Sequence, residues 1–189
     1  MILTQDNEYA TVLDACVLVP MPLCDTLLRL AEDPAMYRPL WSEPILAEVA
    51  TALGRDLRLT PVQIERRLRS MREAFPEASI SIPPELPPAL NGIPDPGDQH
   101  VLAAAIRGQA HAIVTRNVRH FPDVYIHSYN VLCQTPDDFL THQFHLNPAQ
   151  VLEKLDAQAA AIRQGRDQVI ALLMPMVPGF IALVEQWTA

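Results

Sequence analysis

Residues 11–19 read TVLDACVLV, and this apolar stretch gives the clearest indication of the fold. The run is short, rich in valine and leucine, and free of glycine, so it predicts a buried strand. Asp14 is the one charged residue within it, and we place it near the carboxyl end of that strand. In an open parallel sheet, chemistry gathers at the carboxyl ends of the strands. Asp14 is therefore the first candidate functional residue.

Strand and helix patterns alternate along the following hundred or so residues, as expected of the α/β class with a mostly parallel sheet. Serine and threonine before a proline mark two helix starts, at Ser42 and Thr60, because such residues cap a helix and proline is tolerated in its first turn. The predicted helices cover residues 23–31, 42–54, 60–71 and 98–108, and the further predicted strands cover 78–82, 112–115 and 124–126.

From about Pro136 onward the pattern is helical alone, with apolar stripes over 151–162, 169–173 and 180–187. We therefore predict two parts, an α/β domain over residues 10–137 and a C-terminal helical module over residues 138–189. The total of 189 residues is ample for a single buried core.

Composition excludes several classes of protein. The net charge of −8 means that any binding of nucleic acid would need a local basic surface. Three scattered cysteines without a C-x-x-C pair argue against a disulfide framework and against a thiolate zinc site.

Two segments bear on the questions of a signal peptide and of a membrane span. Met1–Tyr9 is polar and acidic without a basic region, so we do not expect a signal peptide. The longest apolar tract, residues 169–184, is broken by Pro175 and Pro178 and falls short of the roughly 18 residues of a membrane span. We expect a soluble cytoplasmic protein.

Acidic residues recur where the predicted sheet would present its functional edge. Asp14 ends the first strand, Asp95 and Asp98 lie at a helix start, and Glu48 lies on the helix that follows Ser42, next to its buried stripe. Carboxylates that converge repel one another unless they are protonated or bind a metal ion. Mg²⁺ and Mn²⁺ prefer such oxygen ligands and can activate water against a phosphodiester.

Each of these residues also has a purely structural interpretation. Asp14 could cap a turn, Asp98 could cap its helix, and Asn117, in the predicted strand end Thr115-Arg116-Asn117, could be a turn residue. Glu48 is as compatible with a structural role as with a functional one. Serine-hydrolase, Walker and dinucleotide-binding motifs do not occur in the sequence.

Four blocks together resemble the PIN-domain ribonucleases, most of all the VapC-like toxins of bacterial toxin–antitoxin pairs. They are residues 11–18, residues 42–53 with Glu48, residues 95–105 (DPGDQHVLAAA) and residues 113–117 (IVTRN). The resemblance covers roughly residues 10–137, and the helical tail also resembles an extension found in some members.

The resemblance implies a PIN-like sheet flanked by helices and a metal-dependent endoribonuclease. Asp14, Glu48 and Asp98 would hold Mg²⁺ or Mn²⁺ and, with Asn117 at the fourth corner, would cleave single-stranded RNA to 5′-phosphate and 3′-hydroxyl ends. Asp95 would be an additional ligand or a turn residue.

One position departs from the family. Members often carry an acid just before the Phe-Pro that follows the fourth block, and here that residue is His120. Because Asn117 adds no negative charge, binding of a second metal ion is in question. The alternative is therefore a non-catalytic PIN-like module that binds RNA or protein.

The resemblance also implies partners. They are the RNA substrate, a small antitoxin protein whose helix would occupy the acidic groove, and a second copy in a homodimer; no membrane is expected. An arginine concentration around residues 55–72 is either a solvated helix face or a track for the RNA backbone. The residues predicted to bind RNA are Arg55, Arg58, Arg66, Arg69 and Arg116.

Overall fold

A computed structural model describes residues 9–90 and 93–188. Within these ranges the chain forms a parallel sheet of five strands in the order β3-β2-β1-β4-β5. Of Met1–Tyr9, the segment in which we expect no signal peptide, only Tyr9 belongs to the described residues. The strands are β1 (Ala10–Leu13), β2 (Arg38–Ser42), β3 (Ser79–Ile80), β4 (Ala112–Val114) and β5 (Leu132–Gln134).

The central strand β1 fixes the register of the sheet. Its Val12 pairs with Leu40 of β2 on one side and with Ile113 of β4 on the other. All four residues of β1 are buried, which explains why its sequence is a continuous apolar run rather than an alternating one. The predicted mostly parallel α/β fold is confirmed.

Helices cover both the α/β part and the C-terminal part of the chain. Ser42 caps its helix by accepting a hydrogen bond from Ile45 N, and Thr60 forms a capping box with Gln63, as the sequence indicated. The helices are α1 (Ala15–Leu18), α2 (Met21–Ala31), α3 (Glu43–Asp56), α4 (Pro61–Ala74), α5 (Leu86–Ala89), α6 (Gln99–Arg107), α7 (Asp123–Ile126), α8 (Pro136–Leu146), α9 (Pro148–Ala161), α10 (Arg166–Leu173) and α11 (Pro178–Thr188).

The predicted strand boundaries were wrong at several places. The strand at the start ends at Leu13, and residues 15–18 form α1, because periodicity alone does not separate a buried strand from a short buried helix. Residues 124–126 belong to helix α7 instead of a strand, with Pro122 at its N-cap and Asp123 in its first turn.

The sequence analysis missed the strands β2 and β5. Pro39 lies inside β2, where a proline disfavours a strand, and burial in the sheet outweighs that preference.

The C-terminal helices share a core with the α/β part. The Thr26 hydroxyl of α2 donates a buried hydrogen bond of 2.7 Å to Gln158 Oε1 of α9. The rings of Tyr37 and Phe139 pack edge to face with centroids 4.9 Å apart. The division predicted between residues 137 and 138 therefore crosses a packed interface, and the division itself stays a prediction.

Over residues 9–90 and 93–188, no helix combines the length and the apolar character needed to cross a bilayer.

Candidate active site

Asp14 lies immediately after β1, and only 4% of its surface is exposed. Its backbone N–H donates to Val114 O of β4 at 3.1 Å, which ties the residue to the middle of the sheet. The carboxylate Oδ2 accepts hydrogen bonds from the Thr115 hydroxyl at 2.6 Å and from the Cys16 thiol at 3.1 Å. These two donors fix the orientation of the carboxylate and leave Oδ1 available for a ligand.

Glu48 projects from α3, and its side chain is 49% exposed. The sequence places Glu48 beside the buried stripe of α3 without deciding which way it faces; Ile45 and Val49 fill the core, while Glu48 lines a cleft. Its Oε1 lies 3.6 Å from Nε2 of His100.

Asp98 closes the 3₁₀ turn Pro96–Asp98 and occupies the N-cap position of α6. Its side chain makes no capping hydrogen bond to the described residues of α6, so helix capping does not account for it. Instead Oδ2 lies 2.6 Å from His120 Nδ1. Because Arg119 Nε donates to His120 Nε2, the imidazole proton is on Nδ1 and is donated to Asp98.

Burial and neighbouring negative charges both affect the pKa of Asp98. Burial raises the pKa of its carboxyl group, the neighbouring charges of Asp14 and Asp95 raise it further, and the bond to His120 opposes them. Asp95 itself turns back to accept a hydrogen bond from Gly97 N at 2.9 Å. Negative charge is thus concentrated at this edge of the sheet.

The strand end Thr115-Arg116-Asn117 is bound to the same network. Asn117 N donates to the Thr115 hydroxyl oxygen at 3.0 Å, and Arg116 N donates to Cys16 Sγ at 3.2 Å. The loop is therefore held against Asp14, with the side chain of Asn117 half-buried at the cleft.

These elements enclose one open cavity of about 620 Å³. The structure brings Asp14, Glu48, Asp98 and Asn117 together in its wall, although they come from four separate parts of the sequence. Asp95 is next to this group rather than in the wall, and one ligand atom each of Asp95, Asp98 and His120 lie within 4.8 Å of one another. Other lining residues include Cys16, Val19, Thr51, Arg55, Asp56 and Arg116.

The arginines predicted to bind RNA divide into two groups. Arg55 and Arg116 line the cavity, and Arg55 pairs with the adjacent Asp56 at the exposed rim. Arg58, Arg66 and Arg69 are not among the described residues that line it. Among the other arginines of α4, Arg67 has a structural role, because its guanidinium group donates hydrogen bonds to the carbonyl groups of Leu18 and Val19 at the end of α1.

The donor set fits Mg²⁺ or Mn²⁺. Three carboxylates and a side-chain amide are hard oxygen ligands, and the thiol of Cys16 stays protonated because burial and the charge of Asp14 raise its pKa to about 12. Burial, and after it the charges of Asp14 and Asp95, raise the pKa of Asp98. A divalent cation would favour the negative charge of this carboxylate.

Comparison with known proteins agrees with this arrangement. A family model described as PIN domain matches residues 10–119, the stretch that contains Asp14, Glu48, Asp95, Asp98 and Asn117. The chain belongs to the PIN-domain family. This PIN domain is also similar to the protein named "Putative ribonuclease VapC50" of Mycobacterium tuberculosis (strain ATCC 25618 / H37Rv), with 45% identity over 64 residues. That match covers 32% of this chain and 38% of the relative's length.

Sequence reasoning overlooked three residues of the PIN-domain site. Thr115 and Cys16 both donate to Asp14, and His100 contacts Glu48. Cys16 lies two residues after Asp14 in the sequence and Thr115 lies two residues before Asn117, yet a polar side chain near a candidate site residue does not reveal which atoms it reaches. His100 stands two residues after Asp98 and has no zinc-ligand spacing to another histidine, so nothing in the sequence pointed to its contact with Glu48.

Loss of the Thr115 hydroxyl tests the orientation of Asp14. We expect Thr115→Val to lower metal affinity or cleavage by about 10- to 100-fold, the usual effect of removing a hydrogen bond that orients a metal ligand. Thr115→Ser keeps the donor and should stay close to wild type. The measurement is a Mn²⁺ titration by calorimetry, and equal affinities of the valine and serine variants would contradict this role.

Cysteine alkylation provides a prediction of pH dependence. Burial and nearby negative groups raise the pKa of Cys16 and of Cys133 to about 12, and burial raises that of Cys24. Alkylation requires the thiolate, so native protein should react with iodoacetamide very slowly at pH 8 and faster with each unit of increasing pH. Mass spectrometry should find all three sites modified in denaturant, and rapid modification of native protein at pH 8 would contradict the prediction.

Proposed function

We propose that this chain is a metal-dependent endoribonuclease that cleaves phosphodiester bonds of single-stranded RNA. The observation that carries the proposal is the convergence of Asp14, Glu48 and Asp98 from three separate elements on one open cavity. A structural role would not require three carboxylates to share a cavity wall, since their mutual repulsion disfavours folding.

Asp14, Glu48 and Asp98 would hold Mg²⁺ or Mn²⁺, with Asp95 and Asn117 as additional ligands. When bound, such an ion supplies charge neutralisation at the phosphate and lowers the pKa of a coordinated water. The chain would contribute the fixed orientation of the ligands, since Thr115 and Cys16 hold the Asp14 carboxylate and His120 holds Asp98.

The remaining cavity residues suit a phosphate chain. Arg55 and Arg116 lie on the lining of the cavity and would contact RNA phosphates through their planar guanidinium groups. Glu48 is half-exposed and would act as a further ligand or orient the attacking water. The cavity is open to solvent, so a single strand can reach the carboxylates without unfolding of the protein.

We further propose that the protein is the toxin of a toxin–antitoxin pair, on the basis of its similarity to the mycobacterial relative. A small antitoxin would inhibit it by inserting a cationic side chain among the acidic residues. A homodimer and a cytoplasmic location are also proposed on this basis.

The decisive experiment uses purified protein and labelled single-stranded RNA with Mg²⁺, Mn²⁺ or EDTA, and DNA of the same sequence for comparison. We expect metal-dependent cleavage of RNA that leaves 5′-phosphate and 3′-hydroxyl ends. Binding of RNA without cleavage under any metal condition would favour the alternative of a non-catalytic module, for which His120 in place of the family's acid is the supporting feature. Preferential cleavage of DNA would also overturn the proposal.

A further inference from the structure

His100 is the second residue of α6, and its side chain is 13% exposed. The two nitrogens of the imidazole ring lie near two different parts of the chain. Nδ1 lies 2.6 Å from the carbonyl oxygen of Gly97, in the turn that carries Asp95 and Asp98. Nε2 is buried without a hydrogen-bond partner among the described residues, and it lies 3.6 Å from Glu48 Oε1 of α3, within ion-pair distance.

The first of these contacts fixes the ring. A carbonyl oxygen can only accept a hydrogen bond, so Nδ1 carries a proton and donates it to Gly97. The imidazole is planar and has only two side-chain torsions, so this bond together with burial also determines where Nε2 points. Its direction is toward the carboxylate of Glu48.

Glu48 needs such a contact more than the other acids of the site do. Asp14 is held by Thr115 and Cys16, and Asp98 is held by His120. Glu48 has a longer, half-exposed side chain, and its one ion-pair contact among the described residues is with His100, which forms the pair when Nε2 also carries a proton. Without a partner, a glutamate on a helix surface samples several rotamers and loses entropy when a ligand selects one.

We propose that His100 is a positioning residue that aligns the Glu48 carboxylate of α3 with the Asp95–Asp98 turn, so that the ligands from the two elements are preorganised for one cation. The inference rests on the proposed function, since it concerns the same metal ligands. It assigns to His100 no contact with substrate or with the reacting atoms.

Two conservative substitutions of His100 each keep one of the two ring contacts and remove the other. In His100→Asn the amide nitrogen lies near the position of Nδ1, so the bond to Gly97 can form but Glu48 is out of reach. In His100→Gln the amide nitrogen lies near the position of Nε2 and can donate to Glu48. His145→Gln, at an exposed histidine of α8, is the matched control.

The test is a calorimetric titration of the metal-free full chain with Mn²⁺, together with kcat and KM for RNA and the melting temperature without metal. We expect His100→Asn to weaken Mn²⁺ binding by about 10-fold or more and to lower kcat with little change in KM. His100→Gln should recover most of the affinity, and His145→Gln should match wild type. In a Glu48→Gln background, His100→Asn should have almost no additional effect on affinity.

Three results would overturn the inference. Wild-type affinity in His100→Asn would do so, and so would equal losses in the asparagine and glutamine variants. A loss of the same size in the Glu48→Gln background would show a general structural role. Failure of the proposed function is distinguishable, because a wild-type chain that binds Mn²⁺ without cleaving RNA leaves the affinity comparison valid. A wild-type chain that binds no Mn²⁺ would overturn both.

Discussion

Asp14→Asn is expected to reduce RNA cleavage by about a thousand-fold while the protein stays folded. Asparagine has the same shape, and its side-chain oxygen can still accept the hydrogen bond from the Thr115 hydroxyl. The substitution removes the negative charge that would hold the cation, and metal stabilisation of the developing phosphate charge contributes several kcal/mol. Each 1.36 kcal/mol corresponds to a tenfold change in rate. The measurement is single-turnover cleavage of labelled RNA with Mn²⁺.

The melting temperature without metal distinguishes loss of chemistry from loss of folding. Because the charge of Asp14 is unfavourable for Asp98, its removal should leave the melting temperature equal to or above that of wild type. Asp156→Asn changes an acid that pairs with Arg166, away from the cavity, and is the matched control. Cleavage by Asp14→Asn at the wild-type rate would contradict the proposed site.

Phe139→Ala should destabilise the whole protein by about 3–5 kcal/mol, the usual cost of deleting a buried aromatic ring. Phe139 of α8 is fully buried and packs against Tyr37, the residue that precedes β2. For a chain of about this length, 1 kcal/mol corresponds to roughly 2–4 °C, so the melting temperature should fall by roughly 6–20 °C. Circular dichroism and calorimetry would measure this change.

The same experiment tests the predicted division of the chain into residues 10–137 and 138–189. Leu146→Ala lies on the same helix at a position that is 74% exposed, and it should have little effect. A single, cooperative transition that shifts as a whole in Phe139→Ala would show that the C-terminal helices fold together with the sheet. Two separate transitions, with only one of them shifted, would show an independent helical module.

The acids of the site differ in how far the sequence could place them. Asp14 and Asp98 were identified because each stands next to an apolar run that fixes a strand or a helix, and such local patterns determine where an element begins or ends. Glu48 was assigned to the correct helix, beside its buried stripe, but the sequence did not decide whether it lies in the core or faces the cleft. Neighbouring residues on a helix are separated by about 100° of rotation, so a residue adjacent to the core stripe can lie in the core or face a cleft.

The errors in the secondary structure have the same origin. Val124-Tyr125-Ile126 has the residue types of a strand and forms the short helix α7, while Arg38–Ser42 contains a proline and forms a strand. In both segments the position relative to the sheet outweighs the local preference.

Local sequence was enough to establish the parallel α/β fold, the helix caps at Ser42 and Thr60, and the choice of the candidate acids, because these depend on patterns within a few residues. Three-dimensional packing was needed to pair Thr115 with Asp14, His120 with Asp98 and His100 with Glu48. Those contacts join residues 22 to 101 positions apart, and a hydrogen bond or an ion pair forms only when two side chains meet within about 3–4 Å in a suitable direction. Such a geometry depends on the whole fold and leaves no periodic signal in the sequence.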